Sequence, residues 1–166
     1  MKKKLNKDLT LFITSNYPYR TKFTSNKKYE VTIGIGGNVG NTKQTFDKLF
    51  LCLLKDSRFD VLITSPLLLN PPFGFLDQNY FLNGIITLKT NLGVNEFFKS
   101  MQRLETKFKR TRSFKDAPRT LDIDIIFFAN KKINTKKLTI PHKNWSQRES
   151  VVIPLQRMYK WVRKKL

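Results

Sequence analysis

The most informative segment of the sequence covers residues 118–126, which read Pro-Arg-Thr-Leu-Asp-Ile-Asp-Ile-Ile. Side chains alternate between the two faces of a strand, so Asp122 and Asp124 are expected on the same face. The apolar residues between and beside them then point to the opposite face, into a core. The alternation therefore predicts a strand over residues 121–128 with one buried face and one acidic face.

The segments on either side of this strand supply the other elements of an α+β domain. Apolar periodicity predicts strands at residues 29–35, 59–69 and 80–89, helices at about 42–54 and at 94–108, a short hairpin partner at 131–138 and a C-terminal helix from about Pro154. The order is β-α-β-β-α-β followed by a helix. This order predicts a ferredoxin-like fold, in which helices pack on an antiparallel sheet.

The N-terminal residues differ from the rest of the chain. Residues 1–28 are rich in Lys, Asn, Ser and Thr, and they contain only short apolar pieces. We expect a basic extension that is ordered at most in part, followed by a single domain over residues 29–166. A chain of 166 residues fits one domain.

Charge is the unusual feature of the composition. The chain has 32 Lys and Arg against 12 Asp and Glu, a net charge of +20. Such a protein attracts polyanions, including nucleic acid, anionic membrane and polyphosphate, and composition does not choose among them. Lysines that only solvate the surface explain the charge equally well. There is no run of 18 apolar residues and only one cysteine, Cys52, so we expect a cytoplasmic protein without a membrane span.

The acidic pair predicts a cation site. At about 4 Å, two carboxylates repel by about 1 kcal/mol in water and by about 4 kcal/mol at an effective dielectric constant near 20. A cation between Asp122 and Asp124 removes this cost, and oxygen ligands without nearby His or Cys clusters favour Mg²⁺. Arg110, Arg112 and Arg119 precede the strand and suit phosphate recognition. The combination is typical of phosphoryl transfer, although an Asp-x-Asp pair alone is more often a solvated strand face.

Two further groups are candidates for ligand contacts. His142 is the one histidine in the chain and follows a proline, which makes a phosphate contact plausible beside a purely structural role. The loop at residues 70–74, the Phe81 ring and the amides of Asn70 and Asn83 could form a slot for a flat heteroaromatic ligand. Taken alone, Phe81 is better explained by a place in the core than by ligand binding.

Several motifs together resemble one known family. They are Ile35–Gly40, Pro71–Gly74, Gln78 with Phe81–Asn83, Gln102–Glu105, Pro118–Ile125 and Leu138–His142. In this order they resemble 6-hydroxymethyl-7,8-dihydropterin pyrophosphokinase, an enzyme family of folate biosynthesis. The resemblance covers about residues 31–158.

The resemblance implies diphosphate transfer from ATP to the hydroxymethyl group of the dihydropterin, which gives AMP and the pterin diphosphate. It implies two Mg²⁺ ions as cofactors, held by Asp122 and Asp124, and catalytic roles for Arg110, Arg112, Asp122 and Asp124. It implies ATP contacts from Gln102, Arg119, Ile125, Lys137, Thr139, His142, Lys143 and Arg148. It implies pterin contacts from Asn70, Pro71, Phe73, Phe81 and Asn83. As partners we expect these two small molecules, no membrane, nucleic acid at most non-specifically, and a monomeric state.

The chain departs from the family at two aromatic positions. Ser150 stands where the family has a second aromatic residue that stacks on the pterin, and Trp145 is a candidate to replace it. Asp116 stands where the family has a loop aromatic that covers ATP, and Phe114 is a candidate there.

Three other functions remain open from the residues alone. An RNA-binding module shares the element order and suits the charge, but its central strand normally carries basic and aromatic residues rather than two acids. A metal nuclease could use the same acidic pair. A pterin-binding homologue with impaired turnover would fit the two departures. Formation of AMP from ATP and the dihydropterin distinguishes the kinase from all three.

Overall fold

The computed structural model describes residues 1–110 and 117–163. The strands are β1 (Lys2–Lys4), β2 (Thr10–Phe12), β3 (Tyr29–Gly37), β4 (Phe59–Thr64), β5 (Leu67–Asn70), β6 (Phe81–Thr90), β7 (Asp122–Phe128), β8 (Ile133–Asn134) and β9 (Thr139–Ile140). The α-helices are α1 (Thr42–Lys55), α2 (Val94–Lys107) and α3 (Glu149–Arg163), and a 3₁₀ turn at Trp145–Gln147 precedes α3.

The main sheet is antiparallel. Its strand order is β1-β2-β5-β6-β3-β7, and β4 also pairs with β6. Strands β8 and β9 form a separate pair. The predicted α+β class, with an antiparallel sheet and a C-terminal helix, is confirmed. Among the described residues, no helix is both long and apolar enough to cross a membrane.

The helices cover both faces of this sheet. On one face, a core cluster includes Phe46 and Leu49 of α1, Phe97 of α2, and Ile123 of β7. On the other face, Val151 and Met158 of α3 pack with Ile85 and Ile126. The intermediate exposure of Asp122 and Asp124 alternates with the burial of Ile123 and Ile125, as the pattern of this strand predicted.

Several element boundaries differ from the sequence-based prediction. The segment at residues 59–69 is two strands rather than one because Pro66 lacks the N–H that would continue the ladder. Helix α3 begins at Glu149, five residues before Pro154, because the Arg148 carbonyl already accepts hydrogen bonds from the next turn. The pair partner of β8 is β9 rather than β7.

The N-terminal segment is more ordered than we expected. Strands β1 and β2 form a hairpin that continues the sheet beyond β5. Tyr17 is fully buried, and its hydroxyl donates a hydrogen bond to the Phe46 carbonyl oxygen at 3.0 Å. Three-residue strands are not stable alone, but the free edge of β5 offers backbone partners and an apolar surface. The extension is therefore part of the folded sheet in this structure.

Candidate active site

The floor of the site is the centre of the sheet on the α3 side. Gly36 of β3 pairs with Asn83 of β6 on one side and with Asp122 of β7 on the other. A Cβ atom on Gly36 would lie 2.8 Å from Asn83 Oδ1, so glycine leaves the space that this amide occupies. Gly34, one step along the same face, pairs with Asp124. The register thus places an amide and two carboxylates side by side.

A cavity of about 460 Å³ lies above this floor and beneath the start of α3. Residues from the sheet, the loop after β5 and α3 line it: Gly34, Ile35, Gly36, Asn70, Pro71, Pro72, Phe73, Phe81, Asn83, Gly84, Arg119, Asp122, Asp124, Ile126, Gln147, Arg148, Glu149, Ser150 and Val151. The acidic pair and the predicted pterin slot therefore share one space.

Asp122 is held by arginines. Arg110 Nη1 lies 2.7 Å from Asp122 Oδ1, and Arg119 Nε lies 3.6 Å from Asp122 Oδ2. The Arg110 guanidinium also forms an ion pair with Glu105 of α2. Glu105 is only 6% exposed and accepts a hydrogen bond from the Ile123 N–H at 2.7 Å. Glu105 thus connects α2, β7 and Arg110.

Asp124 lies in a less favourable electrostatic environment. Burial under α3 is the largest effect and raises the pKa of Asp124. The Asp122 carboxylate raises this pKa further, while His142, Arg148 and Arg110 lower it. His142 Nε2 is 3.8 Å from Asp124 Oδ2. The Asp124 side chain is still 41% exposed, towards the cavity, so it can meet a ligand there.

The two carboxylates suit a magnesium ion better than a metal that is coordinated only by protein side chains. Within residues 1–110 and 117–163, no group of three or more His, Cys, Asp or Glu side chains could hold a metal. Mg²⁺ needs no such group, because it is usually bound by one or two carboxylates plus substrate phosphates and water.

Two buried nitrogen atoms belong to side chains that lie within 4 Å of the acids. Arg119 Nε and His142 Nδ1 have no hydrogen-bond partner among the described residues. Buried polar atoms without partners are rare in folded proteins. The Arg119 guanidinium also lies 5.0 Å from the centre of the Phe81 ring, which connects the phosphate side of the cavity to its aromatic side.

The opposite wall carries amides. Asn83 Nδ2 donates to Asn70 Oδ1 at 2.7 Å, which fixes both amides across β5 and β6. Asn38, after β3, accepts from the Arg119 N–H at 2.9 Å and donates to Gln78 Oε1 and to the Asn79 carbonyl oxygen. Asn38 therefore joins the arginine segment to the loop at residues 71–80.

The structure places nine predicted site residues in the cavity lining: Asn70, Pro71, Phe73, Phe81, Asn83, Arg119, Asp122, Asp124 and Arg148. Arg110 and His142 reach the acids from outside that lining. Besides His142, five predicted ATP contacts do not line the cavity: Gln102, Ile125, Lys137, Thr139 and Lys143. Ile125 is 4% exposed and its side chain belongs to the core on the α1 and α2 side. Arg112 lies outside the described residues.

The sequence analysis did not assign site roles to Glu105, Asn38 or Gly36, although all three fall within the quoted motifs. An acidic residue on the apolar face of a predicted helix, four residues after Met101, was the available signal for Glu105. Gly36 could have been singled out because a glycine inside a strand often marks a place where another group approaches the backbone closely.

The structure describes one of the two positions at which this chain lacks an aromatic residue of the family. Ser150 lines the cavity, as its position predicted. Trp145 packs edge-to-face on Phe127 with ring centres 4.8 Å apart and does not line the cavity, so it does not replace the aromatic residue. Phe114 and Asp116 lie outside the described residues.

The antiparallel sheet presents paired carboxylates and arginines beside an aromatic and amide slot, an arrangement that is typical of phosphoryl transfer. Comparison with known proteins specifies the class further. The model of the family described as 7,8-dihydro-6-hydroxymethylpterin-pyrophosphokinase (HPPK) matches residues 32–160.

Three curated relatives share the name 2-amino-4-hydroxy-6-hydroxymethyldihydropteridine pyrophosphokinase. The Campylobacter jejuni protein is 41% identical over 84% of this chain and 88% of its own. The Helicobacter pylori protein is 39% identical over 87% of each chain. The Bacillus subtilis protein is 31% identical over 80% of this chain and 79% of its own.

The chain belongs to the 7,8-dihydro-6-hydroxymethylpterin-pyrophosphokinase family. The family predicted from the motifs is confirmed, and with it the prediction of a pyrophosphokinase of folate biosynthesis. The RNA-binding alternative is not favoured, since the relatives are pyrophosphokinases.

Proposed function

We propose that this protein transfers a diphosphate group from ATP to the hydroxymethyl oxygen of 6-hydroxymethyl-7,8-dihydropterin and releases AMP. The observation that carries the proposal is that one cavity contains both the amide and aromatic wall and the two carboxylates. A pterin held on the wall would present its hydroxymethyl group towards a triphosphate near the acids.

The pterin is bound by the wall that β5 and β6 form. The Phe81 ring offers a flat contact surface, and the amides of Asn70 and Asn83 offer donors and acceptors for the pterin edge. Pro71 and Phe73 also line the cavity beside this wall. Ser150 contributes no ring, so stacking in this protein comes from one side.

The phosphates are bound by cationic side chains. Arg119 and Arg148 line the cavity, and Arg110 and His142 stand beside the acids. Arginine forms paired, charge-assisted hydrogen bonds with phosphate oxygens, so these groups hold the triphosphate in line with the pterin oxygen. For Arg112 and the five residues outside the lining, an ATP contact stays a prediction.

Asp122 and Asp124 would hold two Mg²⁺ ions, which when bound neutralise charge on the phosphate oxygens. The reaction itself breaks the bond between the α-phosphate bridging oxygen and the β-phosphorus as the pterin oxygen bonds to that phosphorus. Asp122 accepts the hydroxyl proton. Positioning and charge neutralisation supply most of the rate in such transfers.

We also infer that the core formed by β3 to β7 with α1 and α2 is ferredoxin-like. The order β5-β6-β3-β7, with β3 and β6 in the middle, supports this inference. The monomeric state and the cytoplasmic location stay predictions.

The product of the reaction tests the proposal. We expect the purified chain, with ATP, Mg²⁺ and the dihydropterin, to produce AMP rather than ADP. Asp122→Asn should remove most of this activity, whereas Asp60→Asn, at a partly buried ion pair with Lys27, should leave it intact. Formation of ADP, or full activity in Asp122→Asn, would contradict the proposal.

A further inference from the structure

One row of residues runs across the sheet from the N-terminal hairpin to the site. Strand register aligns Leu11 of β2 with Leu68 of β5, and Leu68 with Asn83 of β6. Asn83 aligns with Gly36, and Gly36 with Asp122. Neighbouring strands are about 4.8 Å apart, so the backbone at Leu11 is about 10 Å from that at Asn83.

The side chains of the hairpin contact both elements that bound the pterin slot. Leu9, Leu11 and Leu68 are buried together, and Leu5 and Ile153 pack against them. We call these five residues the N-terminal cluster. Leu68 lies two residues before Asn70 in β5, and Ile153 lies three residues after Ser150 in α3.

The N-terminal cluster therefore fills the angle between β5 and the first turns of α3. Both elements end at the cavity: β5 at Asn70, and α3 at residues 149–151. Without β2, strand β5 would be bounded on its outer side by solvent, since its other neighbour is β6. Leu11 would then no longer pack between β5 and α3, the two elements that bound the pterin slot.

We propose that the N-terminal hairpin is a positioning element for the pterin slot, with Leu11 as its main positioning residue. This rests on the proposed function and adds a role for a segment that precedes residues 32–160, the part matched by the family model. The hairpin sets the spacing between Asn70 and Ser150, and so sets affinity for the pterin. It does not touch the acids or arginines, so it leaves the chemistry unchanged.

The sheet supplies a matched control. Phe12 adjoins Leu11 in β2, but it faces the α1 side, where it packs against the core and lies 3.7 Å below Lys43 Nζ. Phe12→Ala removes apolar contacts from the same short strand without changing the N-terminal cluster. Any effect of loosening the hairpin in general should therefore appear in both variants.

The test measures steady-state kinetics of the full chain with ATP, Mg²⁺ and the dihydropterin. We expect Leu11→Ala to raise the KM for the pterin by about fivefold or more, because the wall must be reordered on binding. The kcat and the KM for ATP should stay within about twofold. Phe12→Ala should lower the melting temperature similarly but leave the pterin KM unchanged.

Milder variants keep the test decisive if Leu11→Ala folds poorly. Leu11→Val should shift the pterin KM in the same direction by a smaller factor, and Leu11→Met should restore it. Equal pterin KM values in Leu11→Ala, Leu11→Val and wild type, or the same change in Phe12→Ala, would overturn the positioning role. Failure of the wild-type chain to make AMP would instead overturn the proposed function itself.

Discussion

Replacing Asp124 with asparagine should remove catalysis and yet stabilise the metal-free protein. In the folded chain, burial and the neighbouring Asp122 carboxylate raise the pKa of Asp124. The folded state therefore disfavours the charged form that prevails at neutral pH. A neutral asparagine of nearly the same shape escapes this cost.

The size of the effect follows from the strand geometry. Alternate residues on a strand are about 7 Å apart, at which two charges repel by about 0.6 kcal/mol in water and about 2.4 kcal/mol at an effective dielectric constant of 20. The Asp124 side chain is 41% exposed, so solvent screening reduces the upper value. We expect a gain of about 1 kcal/mol, or about 2–4 °C in Tm for a chain of this size.

The sign of the pH dependence follows from the direction of the shift. Above the folded-state pKa of Asp124, the carboxyl is charged in both the folded and unfolded states, and the destabilisation is fully present. As the pH falls through that pKa, the folded state takes up the proton first and the destabilisation is lost. Below the ordinary aspartate pKa, wild type and Asp124→Asn should therefore differ least.

The assay is thermal unfolding of both proteins in EDTA at pH 7 and at pH 3.5, with the AMP assay alongside. Asp60→Asn is a control for which we expect the opposite change in Tm. Although burial raises the pKa of Asp60, hydrogen bonds from Lys27 and Ser25 lower it overall, so its loss should slightly destabilise the fold. A lower Tm for Asp124→Asn at pH 7 in EDTA would contradict this prediction, since the carboxylate would then be a net stabilising partner.

Two further substitutions test the packing of the site. Gly36→Ala places a methyl group 2.8 Å from Asn83 Oδ1 and should raise the pterin KM about tenfold. The control is Gly93→Ala, where an added Cβ meets nothing closer than 4.0 Å, and it should leave the pterin KM unchanged. Glu105→Ala removes one of the two carboxylates paired with Arg110, leaves the buried Ile123 N–H without its acceptor, and should cost about 1–3 kcal/mol in urea unfolding. Glu105→Gln keeps an acceptor for that N–H and should cost less; equal losses would contradict the hydrogen-bonding role.

Local patterns in the sequence predicted the parts of the site that lie within one element. The alternation of Asp122 and Asp124 with isoleucines is a property of a single strand, and the structure has both acids on the open face. The motifs at residues 70–74 and 81–83 likewise led to the amides and the ring of the slot, all of which line the cavity.

Contacts between distant segments could not be predicted in the same way. The row from Leu11 to Asp122 depends on the register of five strands, which no local pattern specifies. The order of the N-terminal hairpin depends on the free edge of β5, and the role of Glu105 depends on the position of β7 above α2. These are tertiary effects, and they overrode the weak local propensity of residues 1–28.

The most direct test of the account is a crystal structure with Mn²⁺, a non-hydrolysable ATP analogue and the dihydropterin, using anomalous scattering to locate the metal. We expect metal bound to both Asp122 and Asp124 and to the analogue's phosphates, with the pterin against Phe81 and Asn83. A bound analogue at saturating Mn²⁺ with no metal at these two acids would contradict it.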